Sequence, residues 1–196
     1  TAKESIHIVD ALNEVDNNFS VSTPQLADAL SKSASAAKTF GVSLEENIGH
    51  ITAITAVTQE SGNVVGNALK TIYSRITTLD DADEVLRSIG ISIRDLNGDV
   101  RPVNDILGDL ASKWGTLTDK QRQQVAVTIA GRNQLSRFLA LMNNWDTAVQ
   151  ATTTALTSQG SAFRENSRYL DSFEARINKL KTTFTEMSLS VGEAFL

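Results

Sequence analysis

The chain has 196 residues, 41% of them hydrophobic and 21% charged, a balance that excludes wholesale disorder and leaves room for one or two folded domains. A net charge of -5 removes the usual electrostatic route to nucleic acid, because no basic stripe is present to neutralise phosphates, and none is expected to bind here. Zero cysteines exclude disulfides and thiolate chemistry, and no apolar run approaches the roughly 20 residues needed to cross a bilayer, so no membrane span is expected.

From Ser5 to Val15, Ile6, Val9, Leu12 and Asn13 share one face of an expected helix that ends in the polar run Asp16-Asn17-Asn18, and residues 1–22 read as a helix entering from upstream. Thr23 followed by Pro24 marks a helix start, since the fixed torsion of proline suits the first turn and threonine can cap a free amide. Leu26, Ala29, Leu30, Ala37 and Phe40 form a face running to Gly41, a C-terminal stop. Ser43 and Glu46 have the spacing of a capping box ahead of Leu44, Ile48, Ile51, Ile54 and Val57, a helix expected to end near Ser61-Gly62. Val65, Leu69, Ile72, Tyr73 and Ile76 continue at helical spacing, and Asp80 or Asp81 is placed to cap a short helix holding Val85, Leu86 and Ile89 before Gly90.

The period then changes. Ile91, Ile93 and Val100 lie around Asn97-Gly98, the dipeptide best able to take a type I′ turn, which predicts a small β-hairpin near residues 91–101, packed on adjoining helices through its isoleucines. Past Pro102, Ile106, Leu107, Leu110 and Trp114 define a helix, and Thr118 with Gln121 supplies another capping box ahead of Val125, Val127 and Ile129. Gly131-Arg132-Asn133 interrupts before Leu135, Phe138, Leu139 and Met142, and Trp145, Ala148, Val149 and Leu156 follow up to Gly160. Short connections favour helices that fold back on one another. The expected fold is mainly α: a multi-helix antiparallel bundle with one small β-hairpin over 23–160, and a C-terminal coiled-coil-like helix over 161–196.

That last segment carries the sharpest pattern. Leu170, Phe173, Ile177, Leu180, Phe184, Met187, Val191 and Ala194 recur at alternating three- and four-residue spacing, a stripe narrower than the apolar face of an ordinary globular helix. Glu174, Arg176, Lys179, Lys181 and Glu186 fill the other faces. Such a helix either packs back on the bundle or associates with another copy. Thr1 is not a methionine and the repeat still runs at the end of the chain, so an excerpt of something longer is expected.

Catalytic chemistry has few candidates. His7 and His50 lie on separate expected helices with no carboxylate at ligand spacing, which argues against a zinc site or a triad. Asp80, Asp81, Asp83 and Glu84 suit a helix start better than a cation site. Asp95, Asn97 and Asp99 resemble part of a calcium loop, but the glycine is misplaced, the closing glutamate is missing, and a turn accounts for them. Asn18-Phe19-Ser20 matches a glycosylation sequon too short to weigh. Arg132 and Arg137 read as solvated or paired, and Trp114 and Trp145 as core. No cofactor, metal or catalytic residue is expected.

Several segments in order carry a resemblance: Asp10-Ala11-Leu12-Asn13, Ser43-Leu44-Glu45-Glu46, Gly66-Asn67-Ala68-Leu69-Lys70-Thr71-Ile72, Leu86-Arg87-Ser88-Ile89-Gly90-Ile91, Asn97-Gly98-Asp99-Val100-Arg101-Pro102, Asp105-Ile106-Leu107, Ile129-Ala130-Gly131 and Gly160-Ser161-Ala162. Taken together the chain resembles phage tail tape measure proteins. The resemblance implies a non-enzymatic structural protein of a phage or prophage tail, lying in the tail tube lumen of the virion after assembly in the bacterial cytoplasm. It also implies that the protein helps set tail length and contacts tail tube or tail tip proteins. Self-association through the C-terminal helix is the expectation from the heptads. The alternative is a helical interaction module or adaptor unrelated to phage tails.

Overall fold

The computed structural model describes residues 2–194, with side chains described at 5–174, 176–178 and 182. Ten α-helices occur among the described residues. They are α1 (Ala2–Asn18), α2 (Thr23–Thr39), α3 (Leu44–Thr58), α4 (Gly62–Thr78), α5 (Asp80–Ser88), α6 (Val103–Trp114), α7 (Asp119–Ala130), α8 (Leu135–Asn143), α9 (Trp145–Leu156) and α10 (Ser161–Ala194), with a 3₁₀ turn at Arg132–Gln134. The chain divides into two compact units, residues 1–159 and residues 160–196.

In the first unit α3 is the central element. The stretch Asn47 to Thr55 is buried on every side, as expected of a helix enclosed by others. Packed around it are α2, α4, α8 and α9, while α1 lies against α2 and α9. Glycine lets two of these contacts close to backbone distance. Gly49 of α3 faces the Ala148 carbonyl of α9, and Gly62 and Gly66 of α4 face the Gln25 and Ala29 carbonyls of α2.

Capping boxes position three of the helix starts. Ser43 and Thr118 cap α3 and α7 in the reciprocal boxes read from the sequence. At α2 the cap is one residue earlier than expected: Ser22 accepts from the Gln25 amide and Gln25 returns the bond, while the Thr23 amide and hydroxyl donate to Asp16 Oδ2 at 2.7 and 2.8 Å. Asp80 and Asp81 do not cap α5. They lie inside its first turn, where their charge opposes the helix dipole, and Leu79 is the boundary residue. On α1 the inward face is Asp10, Ala11, Leu12 and Val15, leaving Ile6 and Val9 exposed.

The β-hairpin is not formed. Between α5 and α6 the structure has one isolated antiparallel bridge, Arg94 to Val100, and no strand among the described residues. Asn97 has a negative φ, so no type I′ turn forms, and the positive φ needed to close the loop falls on Gly98 alone, at 90°. The Asp95 carboxylate accepts from the Asn97 and Asp99 amides at 2.9 and 3.0 Å, and the Gly98 amide donates to the Asp95 carbonyl at 3.1 Å. A side chain thus takes amides that a ladder would have used. The buried isoleucines, Ile91 and Ile93, still anchor the loop base.

Candidate functional site

The second unit is α10, a continuous 34-residue helix. Of the predicted seam, Leu170 and Phe173 are each 55% exposed, and Ile177 is partly buried. The side chains of Leu180, Phe184, Met187 and Val191 lie outside the described residues. Phe163, seven residues before Leu170 and 75% exposed, lies on the same face one heptad earlier, with polar Asn166 and Ser167 where the intervening seam position would fall.

The first unit holds a buried polar chain that the sequence reading missed. His50 Nε2 lies 3.1 Å from Asn104 Oδ1, and Asn104 Nδ2 donates to Glu46 Oε1 at 2.8 Å. That second bond turns the amide oxygen toward the imidazole, so Nε2 carries the proton. The Tyr73 hydroxyl sits 2.7 Å from His50 Nδ1 and 3.1 Å from Asn47 Oδ1, and Asn47 Nδ2 donates to Ser33 Oγ at 2.9 Å. Burial drives the His50 pKa down to about 4, against the opposing hydrogen bond to Asn104, and keeps the ring neutral near neutral pH. Burial, reinforced by the Glu46 charge, raises the Tyr73 hydroxyl well above its usual value. This chain of hydrogen bonds pins α2, α3, α4 and α6 together.

The other candidates are brought into structural contacts. His7 Nε2 meets Glu45 Oε1 at 2.6 Å, joining α1 to α3 across 38 residues of sequence. Burial raises the Glu45 pKa, but hydrogen bonds from His7, from the backbone and from Ser43, with the His7 charge, outweigh it and the net shift is downward. Arg137 is held by both Glu60 oxygens, at 2.7 and 2.5 Å, so it is not a free anion-binding group, and Arg132 is exposed. Asp83 pairs with Arg87 one turn on. Trp114 donates to Asn143 Oδ1 at 2.9 Å and stands edge-on to Phe138, while Trp145 stacks obliquely on His50 with ring centroids 5.2 Å apart. Among the described residues no group of three or more His, Asp or Glu side chains is arranged to hold a metal ion, and no helix is long and apolar enough to cross a membrane.

The polar chain ties four helices of the first unit together, and α10 exposes Phe163, Leu170 and Phe173. The family model described as phage-related minor tail protein matches residues 1–131, and the chain belongs to that family. It is 27% identical to the tape measure protein of Pneumococcus phage Dp-1 over 194 residues, covering 98% of this chain and 17% of that protein. It is likewise 27% identical to the probable tape measure protein of Escherichia phage P2 over 139 residues, covering 69% of this chain and 17% of that relative. The chain thus spans about a sixth of the length of these curated relatives, and no solved structure matches it. Its role is structural, in a phage tail, and the unrelated-adaptor alternative is not favoured.

Proposed function

We propose that this chain is a segment of a tape measure, in which the folded residues 1–159 form an anchoring body and α10 leads into a rod that pairs with other copies of itself. The observation that carries this reading is the heptad stripe on α10, with Phe163, Leu170 and Phe173 exposed to solvent. Burying such a stripe against an identical one removes apolar surface from water at about 25 cal/mol per Å². A helix also makes a good ruler. Its rise is fixed at about 1.5 Å per residue and its backbone bonds are satisfied internally, so the 34 residues of α10 reach about 50 Å.

In this reading the parent protein assembles in the bacterial cytoplasm, occupies the lumen of the tail tube in the virion, and contacts tail tube or tail tip proteins. Its length sets where tube polymerisation stops, and this region makes and breaks no bonds. Sedimentation velocity across a concentration series tests the association step: the full chain forms oligomers as concentration rises, and Leu170→Asp with Phe173→Asp holds it monomeric. A chain that stays monomeric at high concentration overturns pairing through this seam.

A further inference from the structure

A groove of about 460 Å³ runs between α6 and α9, with Glu46 and His50 of α3 at its floor. The two walls differ. On α6, Asp105 and Asp109 flank Gly108, and on α9, Trp145 and Val149 line the opposite side, Val149 being 50% exposed. Of the three carboxylates lining the groove, Glu46 accepts from the Ser43 amide and from Asn104 Nδ2, each at 2.8 Å, and Asp109 pairs with Arg101 at 2.8 Å, so with Asp105 the lining keeps a net negative charge. His50 adds no positive charge, since burial keeps it neutral.

We propose that this groove docks a basic amphipathic α-helix supplied by another polypeptide. Both walls present side chains at helical intervals, 105 and 109 on one and 145, 149 and 152 on the other, the stagger into which the ridges of a third helix fit. Gly108 raises no side chain between Asp105 and Asp109, and the edge of the Trp145 ring lies over it, 3.6 Å from where a Cβ would stand. The acidic wall selects lysine or arginine on one flank of the incoming helix, and Trp145 receives a cation or an aliphatic side chain on the other. An acidic or neutral helix gains nothing from the carboxylates, and an open trough buries too little of a small molecule to hold it. This docking is independent of the α10 seam and of the tape role.

The test uses the full chain and a synthetic 14-residue helical peptide of leucine and lysine, with leucines at three-four spacing, against a counterpart with glutamate for lysine. The chain has two tryptophans, so its NMR spectrum carries two indole N–H signals. The lysine peptide shifts the Trp145 signal saturably and leaves that of Trp114 in place, and the glutamate peptide shifts neither. Asp105→Asn with Asp109→Asn weakens binding at least tenfold. Gly108→Gln abolishes it; a Cβ at Gly108 meets Trp145 Cζ2 at 3.6 Å, an ordinary contact, so the fold tolerates the substitution. A thermal melt checks this, and the asparagine pair carries the test alone should that variant unfold. Absence of a Trp145 shift, equal binding of the glutamate peptide, or undiminished binding by the asparagine pair overturns the proposal.

Discussion

Gly66 of α4 lies so close to Ala29 of α2 that a Cβ on the glycine would sit 2.3 Å from the Ala29 carbonyl oxygen and 2.9 Å from its Cα. Both neighbours are backbone atoms, which no rotamer change can move aside. In an unconstrained helix Gly→Ala stabilises by about 1 kcal/mol. At Gly66 the clash reverses the sign, and Gly66→Ala costs about 1–3 kcal/mol through separation of the two helices. Gly115, which has nothing within 4 Å, is the control: Gly115→Ala stays within about 0.5 kcal/mol of the parent. Urea unfolding of both variants measures the difference, and equal stabilities would contradict the close crossing.

The buried imidazole makes stability depend on acid. His50 titrates at about 4 in the folded chain and at its ordinary 6.5 when unfolded, so between these values the unfolded chain binds more protons. The contribution is complete above pH 6.5, declines as pH falls through the window, and levels off below 4. A shift of this size corresponds to about 3 kcal/mol. His50→Gln, which retains hydrogen-bonding capacity toward Tyr73 or Asn104, is less stable at pH 7 but loses less on acidification. Unfolding free energies at several pH values between 7 and 4 check this, and parallel curves for the two proteins would refute it.

Arg75 closes the end of a helix that lies far from it in sequence. Its Nε and Nη2 donate to the Ile129 and Thr128 carbonyls at 3.0 and 2.8 Å, satisfying acceptors in the last turn of α7. Gly131 follows with φ 69°, which sends the chain away from the helix and leaves room for the guanidinium. Arg75→Met keeps the aliphatic stem and removes both bonds, and it destabilises by about 1–3 kcal/mol. Arg75→Lys falls between the two, since an ammonium on a flexible stem replaces a planar fork. Chemical denaturation of the three proteins orders them.

What the sequence made legible was local. The Ser43–Glu46 and Thr118–Gln121 boxes span three residues, so spacing alone located two helix starts, and Gly131 stopped α7 where expected. Ser22 was overlooked because Thr23-Pro24 is the louder signal, yet proline belongs to the first turn and the cap precedes it. The loop after α5 was misread because Asn97-Gly98 dominates any pattern search, while the Asp95 side chain decides which amides are free. The chain from Ser33 through Asn47, Tyr73 and His50 to Asn104 had no sequence signature at all. Its members come from four helices, and only tertiary packing brings them within 3.2 Å of one another. The seam from Leu170 onward rests on the 3.5-residue period alone, since of its side chains only Leu170, Phe173 and Ile177 are among the described residues.

If length is the function, then residues removed from the parent's rod convert to ångströms of tail. In the tape measure proposed above, where the repeat of α10 continues into a rod, each heptad deleted from that rod keeps the stripe in register and removes about 10 Å, so a ten-heptad deletion is expected to shorten the tail by about 100 Å. A deletion of three residues costs only about 4–5 Å of rise but breaks the seam by moving every later apolar residue off the stripe. The two therefore separate length from association. Electron microscopy of virions carrying the first deletion shows uniformly shorter tails, whereas the second gives assembly failure out of proportion to the residues lost. Tails of unchanged length in the ten-heptad virions would contradict a ruler built from this helix.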